Sequence, residues 1–574
     1  MDPSKSNSRE HQRQVIDAEI KSLEEFIRAL KYRRNALAPI SSLPPEVTTL
    51  IFSFSRATSS AITPDPLAWL RVAHVCHQWR EIALNQPLFW SHIDFTKLSP
   101  VGAAEMLARA KTAPLYLEAR ALGSRHWDDA RFRAFREELQ ARVSGIRHLL
   151  ISANHYHLPK TLESLISPAP TLERLSLTGE HQLTEAIPET LFGGTTPRLT
   201  CLELRNCGIF WRSPLLRGLN YLDIRSPCVI SLPSHSVWLD ALDEMPQLKM
   251  LTLRRASPIA SPSPFDVKRT VTLPFLTNFE IADSPRDCAF ALAHLDLPAL
   301  TCLSVKTFFC VEDGNDLQEA LPYIAQHAHG SQDTQPLQSV LIQGKRKGAD
   351  ILAWPVPSIE VKAHRSTLLA TMAPARVALS LWCKDRTRFD THNELLGLAM
   401  AAVPLGGLVT LITQDTLTPP FERFWLPNLQ RYALLQHMRL ASIVAPIFID
   451  WLQADEGGRE NPLLPSLKEL VLVDAYLCKD QTVRLCEALM KRVEQGVPLE
   501  VVDLRTCCPD PDTPAAVRSL GEIVVDVLGP EETLDEHIMS MFDRSFVLEH
   551  DDSGEEFDTD SDSDISGDDD DEEE

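Results

Sequence analysis

Residues 170–177 read PTLERLSL, and the spacing of the leucines in this stretch decides the fold. Leu172, Leu175 and Leu177 occupy positions 0, +3 and +5 of an L-x-x-L-x-L pattern. The last two lie two residues apart and so face one side of an extended strand, while the first tucks in from the preceding turn. The pattern recurs in both directions. Upstream stands Ile146, Leu149, Ile151. Downstream come Leu199, Leu202, Leu204; Leu219, Leu222, Ile224; Leu248, Leu251, Leu253; Leu276, Phe279, Ile281; Leu300, Leu303, Val305; and Leu337, Val340, Ile342. Late copies are Leu467, Leu470, Leu472 and Leu499, Val502, Leu504. Proline precedes many of them, as at Pro170, Pro197, Pro246, Pro274, Pro298, Pro336, Pro465 and Pro498.

Most separations between residues 146 and 300 suit one strand plus a return helix or irregular arc. The pattern resembles divergent leucine-rich repeats. That resemblance implies a curved solenoid, with one parallel strand per repeat along a concave face that commonly binds an extended partner. No regular asparagine follows the strands, although Asn206 and Cys207 come close. Residues 343–466 hold few clear copies; LGGLVTLI at 405–412 and LPNLQRYAL at 426–434 read as worn ones. The competing reading is a globular α/β domain in which the motifs coincide by chance. On the repeat reading the array spans 100–510, and the side chains flanking the inward leucines are candidates for holding a target protein. They are Glu173, Arg174, Glu203, Arg205, Asp223, Arg225, Arg254, Lys306, Lys468, Asp503 and Arg505.

The rest of the composition narrows the function. A formal charge of -23 is concentrated in residues 551–574, which hold fifteen carboxylates and no basic residue, leaving the body near -8. Such a chain has no general attraction for nucleic acid. The tail cannot collapse against its own repulsion and is expected to be disordered, with 511–550 a cap or linker before it. Ser553, Thr559, Ser561 and Ser566 each have a carboxylate three residues on, a spacing similar to that preferred by acidophilic casein-type kinases. No run of eighteen apolar residues occurs, so no membrane span is expected. Twelve scattered cysteines without a C-x-x-C pair suit a reducing compartment, cytoplasmic or nuclear.

Upstream of the array the periodicity becomes helical. Residues 1–14 are polar and are expected to be disordered. Over 15–38, Ile16, Ile20, Leu23, Ile27, Leu30 and Leu37 form one stripe, interrupted where Arg34 takes a stripe position. It reads as a lead-in helix packed on its own domain or as a short self-associating coiled coil. Pro44 and Pro45 then suit the first turn of a helix with Val47, Leu50, Ile51 and Phe54 on one face. Phe52 falls off that face. After a loop, a second helix from about Leu67 presents Val75, Cys76 and Trp79, and Leu88, Phe89 and Trp90 close the unit.

The residues LPPEV at 43–47, IFSF at 51–54, WLRVAHVCHQWREIAL at 69–84 and PLFW at 87–90 resemble an F-box domain, in the form abundant in mushroom-forming fungi. The resemblance covers 40–95. It implies an all-helical module that docks on a Skp1-like adaptor and, through it, on cullin and RING subunits. By position it makes Leu43, Pro44, Pro45, Val47, Ile51 and Phe52 adaptor-facing. Val75, Cys76, Trp79 and Trp90 become either core or the second half of that interface. The chain is then a substrate-recognition subunit of a ubiquitin ligase, without a catalytic centre, cofactor or metal of its own. The alternatives are an F-box scaffold acting outside a ligase, and an enzyme with its site in 343–466. No P-loop or H-E-x-x-H is present, and His155 with His157 or His327 with His329 lack further ligands at diagnostic spacing.

Overall fold

The computed structural model describes residues 3–62, 68–125, 127–183, 186–258, 269–309, 314–329, 335–345, 348–357, 374–383, 397, 399–400, 402–414, 429–441, 444–453, 463–509 and 526–528. The cap or linker expected at 511–550, apart from 526–528, and the acidic tail at 551–574 lie outside the described residues. The chain divides into two compact units, one of residues 1–439 with 459–467, the other of 440–458 with 468–574.

Helix α1 (Pro3–Ala36) opens the first unit. Residues 3–14, expected to be disordered, form its first turns. Glu10, Gln12, Arg13 and Gln14 are good helix formers, and extending a helix already nucleated downstream needs only one bond per residue. Next come α2 (Pro45–Ile62), a 3-10 segment (Ala68–His74), α3 (His77–Asn85) and the single turn α4 (Pro87–Trp90). The second helix expected from about Leu67 is therefore broken in two. Cys76 is extended, with φ -155° and ψ 169°. The break is held by Arg80, whose Nε donates to the Ala73 carbonyl at 3.0 Å, an oxygen that a continuous helix would have used itself.

The sheet begins before residue 100. Strand β1 (His92–Asp94) pairs in parallel with β2 (Leu115–Leu122), Ile93 lying opposite Leu117. Trp90, Ile93 and Phe95, all buried, thus fill the 0, +3 and +5 positions of a first repeat written in larger residues. Parallel strands β3 (Ile146–Ala153), β4 (Arg174–Gly179), β5 (Cys201–Arg205), β6 (Tyr221–Arg225) and β7 (Met250–Arg254) follow. The two-residue strands β8 (Val271–Thr272) and β10 (Leu295–Asp296) pair with each other, and the main ladder continues through β9 (Asn278–Asp283) and β11 (Cys302–Phe309).

The register turns the leucines into columns. Leu149, Leu175, Leu202, Leu222, Leu251, Phe279 and Leu303 stand opposite one another in succession, and so do Ile151, Leu177, Leu204, Ile224, Leu253, Ile281 and Val305. All of these are buried. No repeat can bury its apolar face alone; each supplies the wall on which the next one packs. Position +7 turns the chain. Asn206, Ser226, Arg255 and, in the late copy, Asp474 occupy it with φ of 47–56°. Left-handed backbone is disfavoured for L residues, and asparagine and aspartate tolerate it best. Gly179 holds the same position, where a Cβ would come within 2.6 Å of the His181 carbonyl oxygen.

Beyond β11 the regular order stops. Strand β12 (Ser339–Lys345) carries the Leu337, Val340, Ile342 copy but does not lie beside β11. β14 (Val377–Cys383) takes that place, in parallel, with Leu303 opposite Val377. β13 (Gly348–Trp354) runs antiparallel between β12 and β14. β12 then pairs in parallel with β15 (Thr410–Gln414), and β15 with β16 (His437–Ala441). The all-parallel array expected here is thus interrupted by an antiparallel hairpin, which a chain can close with a two-residue turn. In the worn stretches the register assigns Leu408, Leu411 and Thr413 to one copy. The next is Leu435, Met438 and Leu440, just downstream of LPNLQRYAL; all six residues are buried.

In the second unit β17 (Glu469–Val473), β19 (Val501–Asp503) and β21 (Asp526–Leu528) are parallel, Leu470 opposite Val502 and Val502 opposite Val527. β18 (Tyr476–Leu477) pairs with β20 (Cys508–Pro509). Helices Val444–Gln453 and Lys479–Glu494 pack together, joined by an Arg484–Asp450 ion pair at 2.7 Å.

Candidate partner-docking surfaces

Helix α2 has its larger aliphatic residues on the outside. Thr48 and Phe52, one turn apart, are buried, at 2% and 3% exposure. The Phe52 ring meets Trp79 edge-on at 5.0 Å and lies 6.2 Å from Phe89, while Trp69 contacts Phe89 and Trp90. The Trp90 indole donates to the Ala83 carbonyl at 3.0 Å and carries the Arg109 guanidinium on its face at 4.5 Å, a cation–π contact. These aromatic rings make up much of the module's described interior.

Val47, Leu50, Ile51 and Phe54 face outward, Leu50 at 59% and Phe54 at 72% exposure, with Val75 and Leu88 also exposed. These side chains give the module an exposed apolar face. Pro44 and Pro45 are exposed at the start of α2, and Leu43, Cys76 and Trp79 are half-buried. Phe52, expected to face the adaptor, is interior, and Trp90, expected as core or interface, takes the core position, because their rings are the packing on which the helices rest. Leu50 and Phe54, absent from the expected set, are the most exposed of the described apolar side chains of α2. Their i, i+3 and i+4 spacing from Val47 and Ile51 was the signal for including them.

The second surface is the row of side chains pointing away from the leucine columns. The register sets Ser176, Glu203, Asp223, Thr252, Glu280 and Ser304 in one line, and Thr178, Arg205, Arg225, Arg254, Ala282 and Lys306 in the next. An acidic row thus runs beside a basic one, and most of the expected target-binding residues are held in ion pairs. Glu173 meets Arg147 at 2.7 Å, Arg174 meets Glu203, and Arg225 meets Asp223 at 2.9 Å. Glu280 is shared by Arg254 at 2.8 Å and Lys306 at 3.3 Å. In the second unit Lys468 meets Glu500 and Arg505 meets Asp503.

Asp223, expected to point into a groove, is only 1% exposed, because Arg225 folds over it. Arg205 is exposed and has no carboxylate partner among the described residues. Burial pushes the Glu280 carboxyl up, but Lys306 and Arg254 outweigh it and hold the group below the ordinary carboxylate range. At the end of the ladder near the helical module, His92 stacks on Tyr116 at 4.0 Å, and Tyr116 meets His148 edge-on at 4.6 Å.

Neither surface converges on a reacting atom. No group of three or more potential metal-ligating side chains occurs among the described residues. Burial raises the Cys201 thiol to about 11 and the Cys207 thiol to about 12, far from a reactive thiolate. The nine cysteines whose side chains are described are free thiols. No described helix is long and apolar enough to cross a membrane.

The helical module has a known counterpart. Residues 40–96 match the F-box-like family. The F-box-like domain therefore includes β1, the strand that starts the sheet, as well as the four helical pieces. No curated protein matches the chain. Among solved structures, an internalin (inlF) from Listeria monocytogenes str. 4b F2365 is similar over 64% of this chain and 88% of its own, at 11% identity and a TM-score of 0.21. The repeat character of the sheet stands on its own register and burial.

Proposed function

We propose that this chain is the substrate-recognition subunit of a cullin-RING ubiquitin ligase of the SCF type. Its F-box-like domain docks on a Skp1-like adaptor through the outer face of α2, and its strand ladder holds a target protein. The observation that carries this reading is the outward stripe Val47, Leu50, Ile51 and Phe54, set in a domain whose family generally binds Skp1. A few desolvated aliphatic and aromatic anchors carry most of the energy of such an interface. The chain itself then makes and breaks no bond. It raises the local concentration of target lysines near the conjugating enzyme and orients them, both of which transfer requires.

The target face is the double row of Glu203, Asp223 and Glu280 beside Arg205, Arg225, Arg254 and Lys306. Its charges are mostly compensated, so it suits a polar protein segment better than a polyanion, and Arg205 is the cation left to a partner's carboxylate. A compartment shared with the ligase, cytoplasmic or nuclear, follows from the same reading.

The test is affinity capture of the full chain beside a Leu50→Glu/Phe54→Glu variant. Wild type should bring down Skp1, cullin and RING subunits, and the variant should lose all three while keeping proteins bound through the repeats. Failure of the purified protein to bind Skp1, where a known F-box protein does, would overturn the ligase reading. Skp1 without cullin would favour the scaffold.

A further inference from the structure

Helix α1 carries an apolar stripe that the described residues leave exposed. Every residue from Glu10 to Arg34 is exposed, and Ile16, Ile20, Leu23, Ile27 and Leu30 are each 47–56% exposed. Their alternating spacings of four and three are the seam of a coiled coil, and no other described residue covers them. A helix of this length gains most of its stability from packing, and a second copy supplies a matching stripe.

We infer that α1 pairs with α1 of a second copy of this chain, antiparallel, about a two-fold axis near Glu25. Charge decides both the occupant and the direction. Residues 17–25 carry Asp17, Glu19, Glu24 and Glu25 against Lys21 alone, whereas residues 28–34 carry Arg28, Lys31, Arg33 and Arg34 with no carboxylate. Antiparallel pairing lays the acidic half of each helix on the basic half of the other. Leu23 then meets Ile27 across the seam, and Ile20 meets Leu30. Flanking the seam, Glu19 faces Arg33 and Asp17 faces Lys31, each pair occurring twice. Phe26 meets its own copy at the axis, and Glu24 makes the one like-charge encounter.

A parallel, in-register pair would instead align the acidic halves together and set Glu19 against Glu24 on both sides. An isologous contact of the antiparallel kind closes on itself as a dimer. The inference rests on α1 alone and is independent of the adaptor reading.

Sedimentation equilibrium of the full chain across the micromolar range tests it. Wild type should give the mass of a dimer, and Leu23→Glu/Ile27→Glu the mass of a monomer, with thermal unfolding of the repeats unchanged. Glu19→Arg should weaken the dimer about tenfold or more, since it sets Arg33 of the second copy against a like charge. Adding Arg33→Glu should restore it. A wild type that stays monomeric, a stripe variant that stays dimeric, or a Glu19→Arg dimer tighter than wild type would each overturn the proposal; the last is the parallel result.

Discussion

The indole Nε1 of Trp90 donates to the backbone carbonyl of Ala83 at 3.0 Å, and the same ring fills the leading position of the first repeat. One side chain thereby belongs to two cores, closing α3 against α4 on one side and starting the strand ladder on the other. The F-box-like domain and the sheet are accordingly continuous.

Trp90→Ala should destabilise the first unit by about 3–5 kcal/mol, the range for emptying a buried aromatic site. Trp90→Phe keeps most of the packing and loses the hydrogen bond, leaving the buried Ala83 carbonyl unpaired, at about 1–2 kcal/mol. Urea unfolding of the two variants checks the difference. Because the ring is shared, helical and strand signals should fall together.

Phe52 and Phe54, two positions apart on α2, should behave oppositely. Phe52→Ala removes a ring that touches Trp79 and Phe89 and should cost about 3–5 kcal/mol of stability. Phe54→Ala acts on a side chain at 72% exposure and should leave stability within about 0.5 kcal/mol of wild type. It should weaken Skp1 binding about tenfold or more, as an anchor would. Paired calorimetric titrations and melts separate the two effects.

The +7 turn offers a stabilising change. Ser226 sits at φ 47°, where an L residue is strained by about 1–2 kcal/mol and glycine is not. Ser226→Gly should raise stability by about 0.5–1 kcal/mol after the entropy glycine adds to the unfolded chain. Asn206→Val, which puts a β-branched residue at φ 56°, should lower stability by about 2 kcal/mol or more. Thermal melts of the single variants decide this.

Asp223 and Arg225 form a pair with the carboxylate buried and the guanidinium about a quarter exposed. Asp223→Ala should cost about 2 kcal/mol, less than a fully buried pair because Arg225 keeps some water. If Arg225 instead swings out freely, the variant will match wild type in chemical denaturation.

Glu280 sets a pH dependence. Its folded carboxyl is held below its unfolded value by Lys306 and Arg254, against burial. Its contribution is therefore complete above the ordinary carboxylate range, near pH 4–5, and is lost as pH falls through the depressed folded value. Glu280→Gln should flatten that part of the acid limb and leave the slope between pH 6 and 8 unchanged, as measured by unfolding across pH.

What the sequence settled by itself was the periodic part. Leu175 and Leu177 predict their strand because a two-residue alternation leaves one face to bury, and each copy repeats that local instruction. The helical module was legible in LPPEV and PLFW for the same reason, as N-terminal prolines and apolar spacing act within a few residues. Contacts between distant segments were decided only in three dimensions. The identity of Phe52 does not say whether a ring faces inward; the volume left between Trp79 and Phe89 does. The place of β14 beside β11 depends on a hairpin whose two strands must both find partners, and no local pattern encodes that order. Whether Asp223 faces water or lies beneath Arg225 likewise rests on the neighbouring strands, since burial belongs to the assembled surface and not to the residue.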